Sequence, residues 1–254
     1  MKGRLFLVPT PLDHGCAEQT PLDDVLPLGT IKKAAAIACW VSENAKSTRA
    51  FLKRVDAVVP LTQPIQAQQI TELPRELHKK GDHAGAARFD ARPLLVPALQ
   101  GQDVGLISEA GMPAVADPGS SVVRAAHQLG IEVLPLTGPV SLLLALAASG
   151  LNGQNFAFIG YLPQDASART TQIQQISRAV QQSGQTRIVI ETPYRNQVLL
   201  EALLSGLDGQ LRLCVASGLT LPDADGARSA SVAEWRQARW PVTPKAPAVF
   251  LIGR

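Results

Sequence analysis

The chain has little of what holds small secreted or metal-dependent folds together. Among its 254 residues are three cysteines, Cys16, Cys39 and Cys214. They lie far apart and never at CxxC spacing from one another or from His14, His78, His83 or His127, so neither a disulfide framework nor a zinc cage is expected. Long apolar runs are missing too. The first, Leu5 to Val8, breaks at Pro9 and is too short for the core of a signal peptide. The charge-free stretch from Val133 to Gln164 is interrupted by Pro135 and by Gly138-Pro139, and the apolar run after Pro139 is too short to cross about 30 Å of hydrocarbon. No membrane span is therefore expected, and a cytoplasmic location is the default. There is no repeat at a period of roughly 20 to 50 residues. No GxGxxG, GxxxxGKS/T or GxSxG occurs, which leaves a Rossmann dinucleotide site, a P-loop and a serine nucleophile elbow unsupported. Charge excess is small, with 24 Lys+Arg against 21 Asp+Glu giving +3. With 46% hydrophobic and 18% charged residues, disorder is excluded and one large or two small domains can each bury a core.

What the chain does have is strand signals separated by helical stretches, the pattern of an α/β protein with mainly parallel or mixed sheets. Strands are predicted at Arg4–Val8, Ile37–Val41, Asp103–Ser108, Ile131–Leu136, Phe156–Gly160, Thr186–Ile190, Leu211–Ala216 and Ala248–Ile252. Helices are predicted at Leu28–Ala38, Lys46–Arg54, Ser120–Leu129, Val140–Ala148, Ala168–Ser183 and Gln197–Leu204. The segment Thr62–Pro97 reads as irregular, with short helices around Glu72–Lys80 and Ala84–Arg88. The helix over Val140–Ala148 is apolar on all sides, which predicts enclosure by protein. Loop chemistry changes near Ala116. A boundary there gives domains 1–116 and 117–254, and the lack of a flexible linker suggests that they share a cleft.

In open α/β sheets, ligands bind where loops leave the carboxyl ends of parallel strands, because backbone amides are free there. Four such loops are rich in Gly, Pro, Ser and Thr: Pro9-Thr10-Pro11, Ser108 to Pro113, Thr137 to Ser141, and Glu191 to Arg195. Glycine permits close backbone approach and proline stiffens a loop, so together they suit a nucleoside-shaped pocket. Glu43, Glu109, Asp117 and Glu191 stand at or near strand ends. Lys46, Arg49, Lys53 and Arg54 place at least three charges on one side of a helix, where they either contact nucleic-acid phosphates or form a solvated face. Trp235 and Trp240 with Arg236 and Arg239 read as helix packing.

The segments LFLVPTPL (Leu5–Leu12), LISEAGMPAVADPGSSVVRAAHQLGIEVLPLTGPVSLLLALAASGL (Leu106–Leu151), FAFIGYLPQD (Phe156–Asp165) and IETPYRN (Ile190–Asn196) carry a resemblance to the tetrapyrrole methylase superfamily of S-adenosylmethionine-dependent methyltransferases. The likeness is greatest to the bacterial branch that includes the small-subunit ribosomal RNA ribose 2'-O-methyltransferase. It implies two α/β domains, S-adenosylmethionine in the cleft between them, a homodimer and no metal. It also implies cofactor contacts from Pro9, Thr10, Pro11, Ser108, Ala110, Gly111, Met112, Pro113, Thr137, Gly138, Pro139, Val140 and Ser141. Tyr161 and Leu162 either cover the adenine or fill the core, with Glu191 nearby, and Pro244-Lys245-Ala246-Pro247 is expected to close that end.

Two departures bear on the substrate. Where the RNA-methylating branch has a Gly-Asn-Leu run after PTP, this chain has Leu12-Asp13-His14-Gly15. Where that branch has Glu-Asp-Thr-Arg, this chain has Ser42-Glu43-Asn44-Ala45 followed by Lys46-Ser47-Thr48-Arg49. A ribose hydroxyl benefits from a base, and Glu43, at the position of that acidic motif, is the first candidate; Lys46 and Arg49 are candidates for substrate, and Arg195 either reaches the substrate or pairs with a carboxylate. Three readings stand open: methyl transfer to RNA, methyl transfer to a tetrapyrrole or other small molecule, and a noncatalytic cofactor-binding protein.

Overall fold

The computed structural model describes every residue except 14, 17, 75, 77–81, 83–88, 223–225 and 243–245. Contacts divide the chain into two units, residues 1–14 with 20–140 and residues 15–19 with 141–254. The division falls after Val140 and not near Ala116. The reason is pairing: β5 (Val133–Pro135) runs parallel to β1 (Leu5–Val8), with Leu5 opposite Val133 and Leu7 opposite Pro135.

The first unit is a parallel sheet in the order β3-β2-β4-β1-β5, with β2 at Cys39–Ser42, β3 at Gln69–Glu72 and β4 at Val104–Ile107. Alternation along each strand feeds two separate cores. Leu5, Cys39, Val41, Val104 and Leu106 face one way, onto Leu95 and Ala98 (Ala98 lying in α4, Val96–Leu99) and onto Val122, Ala125 and Ala126 of α5 (Ser120–Gln128). Phe6, Val8, Trp40 and Ile107 face the other, onto α1 (Leu22–Val25), α2 (Leu28–Ala36) and α3 (Ala45–Val58). In α3 the buried residues Thr48, Phe51, Leu52 and Val55 recur at helical spacing and form one stripe. Trp40 fits because Gly105 on the neighbouring strand has no side chain; a Cβ there would lie 2.5 Å from the indole ring.

The second unit is a mixed sheet in the order β6-β7-β10-β8-β9, comprising Phe156–Phe158, Thr186–Glu191, Ala248–Gly253, Arg212–Ser217 and Gly226–Ser231. Only the β6–β7 pair is parallel. β10 is buried at every position. One face packs on α7 (Ala166–Ser183), α8 (Asn196–Gly206) and α9 (Val232–Ala238) through Ile173, Leu199, Leu203 and Trp235. Trp235 donates its indole N–H to the carbonyl of Leu213 at 2.8 Å and meets Trp240 edge to face at 5.1 Å.

Three expectations change. β3 lies inside the segment read as irregular, because an edge strand with Ile70 as its one large apolar residue shows no alternation. β9, Gly-Ala-Arg-Ser-Ala-Ser, escapes for the same reason. The helix expected to be enclosed, α6 (Ser141–Ser149), buries Leu142, Ala145, Leu146 and Ser149 but leaves Leu143 and Leu144 50% and 38% exposed. The helices expected around Glu72–Lys80 and Ala84–Arg88 fall mostly or wholly outside the described residues.

Candidate active site

In the first sheet, β1 continues into α2 on one face while β4 continues into α5 on the other. The two strands are neighbours, so their carboxyl ends form a topological switch point, where diverging connections leave a crevice. The loops at that point are locked to each other. Thr10 and Gly111 exchange backbone hydrogen bonds of 3.0 Å in both directions, and the Thr10 hydroxyl donates to the carbonyl of Ser108 at 3.3 Å. Gly111 has φ of +76°, and a Cβ on it would meet Leu12 at 3.2 Å and the Pro139 carbonyl at 3.6 Å. Gly138 lies still closer to its neighbours, since a Cβ there would sit 2.3 Å from Pro9 and 2.9 Å from Leu26. Loops from β1, β4 and β5 thus converge, bringing together Pro9, Thr10, Ser108, Gly111, Gly138 and Pro139.

The segment after β4 is strained. Between Gly111 and Gly119, four residues have left-handed backbone: Gly111, Ala114 (φ 64°), Ala116 (φ 67°) and Gly119 (φ 135°). That conformation costs an alanine about 1–2 kcal/mol, so its surroundings must impose it. Asp117 sits within this segment, half-buried. Burial, and then the charges of Glu43 and Glu109, push its carboxyl up to about 7, against a smaller lowering effect of the nearby Ser108 side chain. Glu43 follows β2 and accepts a 3.2 Å hydrogen bond from the backbone N–H of Glu109. Three carboxylates from two adjacent strand ends therefore form one electrostatic group.

Beside it, α3 begins with its amides already satisfied. The Asn44 side chain accepts from the N–H groups of Lys46 and Ser47, and Glu72 accepts from that of Ala45 at 2.7 Å. The basic stripe of this helix loses a member. Arg54 grips buried Asp13 with two 3.0 Å hydrogen bonds and also donates to the Thr20 carbonyl, which leaves Lys46, Arg49 and Lys53 exposed. The departure at Asp13 thus has a structural account as an internal ion pair.

In the second unit the outcome is more divided. Tyr161 is exposed, but Leu162 is 3% exposed and belongs to the core of that unit, which removes it from the residues able to cover a ligand. Arg195 does not project freely toward a substrate; it pairs with buried Glu191 at 3.0 Å. Glu191 in turn accepts from the Thr192 N–H and hydroxyl, so both residues hold their own loop. The Ala246 carbonyl accepts from Asn196 and that of Pro247 from Ser217. Lys245 and Pro244 lie outside the described residues.

Sequence reading missed Asp82, whose carboxylate is buried against Gly119, Ser120 and Ser121; no local pattern links residues 37 to 39 positions apart. The Asn44 cap was readable, since Asn before a helical run is a start signal. Among the described residues, no group of three or more His, Cys, Asp or Glu is arranged to hold a metal ion, and no helix is long and apolar enough to cross a membrane.

Known proteins share both the sequence pattern and the fold. The family model for tetrapyrrole (corrin/porphyrin) methylases matches residues 28–229. A Pseudomonas aeruginosa protein named ribosomal RNA small subunit methyltransferase I is 33% identical over 224 residues, 86% of this chain and 67% of that one. A protein of the same name from Mesorhizobium japonicum is 40% identical over 132 residues, 52% of this chain and 44% of that one. The chain thus spans between about half and two thirds of the length of such relatives. The uroporphyrin III C-methyl transferase of Thermus thermophilus shares the fold, with a TM-score of 0.52 at 17% identity, covering 99% of this chain and 98% of that one.

Proposed function

The chain belongs to the tetrapyrrole (corrin/porphyrin) methylase family, and on that premise we propose that it transfers a methyl group from S-adenosylmethionine to RNA, of the ribose 2'-O type. The observation that carries the substrate is the 33% identity, over 86% of the chain, to a relative named for ribosomal RNA. The 17% likeness to a uroporphyrin enzyme speaks to the fold alone. The noncatalytic reading drew on the departures at Asp13 to Gly15 and Glu43 to Ala45, and the Asp13–Arg54 pair gives Asp13 a structural role.

The cofactor supplies an electrophilic methyl group on a positively charged sulfur. The residues present suit such a group. Glu43 and Glu109 put negative charge beside Asp117 at the switch point, and this favours a cation over the neutral product that remains after transfer. Pro9, Thr10, Pro11, Ser108, Ala110, Gly111, Met112, Pro113, Thr137, Gly138, Pro139 and Val140 provide the backbone-rich lining in the first unit. Transfer needs in-line approach more than it needs covalent help. The acceptor hydroxyl must also lose a proton, and a carboxyl near 7 is matched to that task. We assign the proton to Asp117 and the field that holds it there to Glu43. Lys46, Arg49 and Lys53 would neutralise phosphates alongside.

A second copy of the chain is the proposed partner. Leu143 and Leu144 on α6, together with Phe156 and Phe158 on edge strand β6, are exposed within a stretch that has no charge, a combination that marks interaction surfaces. Calorimetric titration with S-adenosylhomocysteine tests the cofactor reading. Saturable binding, competed by S-adenosylmethionine, is expected; no heat and no thermal shift at millimolar ligand would remove it.

A further inference from the structure

We propose that Asp82 is a positioning residue: by clamping the first turn of α5 it holds the strained Gly111–Gly119 segment in the form that presents Asp117. The proposal rests on the assignment of the proton to Asp117, and its geometry comes from a different part of the chain. Asp82 is 1% exposed. Its carboxylate accepts from the N–H of Gly119 at 2.9 Å, the hydroxyl of Ser120 at 2.6 Å and the N–H of Ser121 at 2.7 Å. Arg124 donates to the Asp82 carbonyl at 3.1 Å and to the Ser120 hydroxyl at 3.3 Å, tying the backbone of residue 82 to the same helix.

Strain supplies the reason for such a clamp. Two alanines in left-handed backbone do not hold that form unaided, and each end of the segment is fixed from outside. At the near end, Gly111 is bonded in both directions to Thr10. At the far end, Gly119, left-handed itself, donates to Asp82. Asp117 lies two residues before that second anchor, so freeing Gly119 lets the Asp117 carboxyl move away from Glu43 after β2 and from Ser108 and Glu109 after β4.

A double-substitution cycle read against pH tests this without depending on activity. In the parent chain, Asp117→Asn removes a carboxyl crowded by Glu43 and Glu109, and the Tm gain should be about 3 °C larger at pH 8 than at pH 5. Asp82→Asn keeps the size of the side chain but removes the carboxylate charge that strengthens all three bonds. In that background the pH-dependent part of the gain should fall by half or more. A uniform Tm loss from Asp82→Asn, with the Asp117→Asn gain unchanged at both pH values, would make Asp82 an ordinary helix cap and overturn the proposal. If Asp82→Asn does not fold, Ser120→Ala removes one of the three donors and enters the same cycle with the same two outcomes. A second arm measures methyl transfer to small-subunit ribosomal RNA. There kcat should drop about 10- to 100-fold while affinity for S-adenosylhomocysteine stays within twofold. Absence of transfer by the parent chain would count against the RNA reading and leave the stability cycle to decide on Asp82.

Discussion

Asp117 illustrates how carboxylates delivered by neighbouring strand ends alter one another. Its proton is bound in the folded chain up to about pH 7, whereas the unfolded chain releases it near 4. Stability that depends on that proton is present at low pH and is lost as pH rises through about 7. The Tm of Asp117→Asn relative to the parent should accordingly be higher near pH 8 than near pH 5, and equal differences at both pH values would show that the carboxyl titrates normally. The Asp13–Arg54 pair belongs to the same scale. The Asp13 side chain is 4% exposed and Arg54 22%, so Arg54→Met leaves a buried charge without its partner. A loss of about 3 kcal/mol is expected in denaturant titration, and a loss below about 1 kcal/mol would place the pair among weak surface bridges. Neither feature was legible beforehand. Glu43, Glu109 and Asp117 were all visible as acids near strand ends, but which of them holds a proton depends on burial and on approach between strands, which sequence spacing does not encode.

The elements that position the site were largely legible, and the exceptions share a cause. β1, β2, β4 and β5 announce themselves as short apolar runs ending in Gly- and Pro-rich loops, and the site is built on those ends. β3 and β9 sit at sheet edges, where one side faces water and no alternation is required, so their sequences look like loop. α6 was misjudged in the opposite direction. Its composition reads as buried all round, yet its stripe of Leu142, Ala145 and Leu146 faces the sheet and Leu143 and Leu144 face outward. If that face docks a second copy, Leu143→Glu with Phe158→Glu should convert a dimer to a monomer in sedimentation, with the circular dichroism spectrum unchanged; an unaltered sedimentation coefficient would reject the surface. Gly138 constrains the loop after β5 more tightly. Even Gly138→Ala drives a methyl group into Pro9 and Leu26 and should cost about 1–3 kcal/mol, measurable as a shift in denaturant midpoint, so this glycine serves the packing of the first unit before it serves any ligand.

For the molecule as a whole, family membership and the convergence of strand-end loops agree on methyl transfer, while the substrate rests on relatives of which the chain spans between about half and two thirds. On the proposed function, a net charge of +3 and three exposed basic residues on α3 would give a modest electrostatic hold on RNA. Reversing Lys46 and Arg49 should weaken binding to RNA and flatten its salt dependence by roughly two phosphate contacts. The most direct test of the central claim is to incubate the chain with S-adenosylmethionine carrying an isotopically labelled methyl group and with small ribosomal subunits from cells that lack it, then to digest the RNA and weigh its nucleosides. The account predicts label in a 2'-O-methylated nucleoside, lost on Asp117→Asn; RNA free of label, with the methyl group found on an added tetrapyrrole or nowhere, would contradict it.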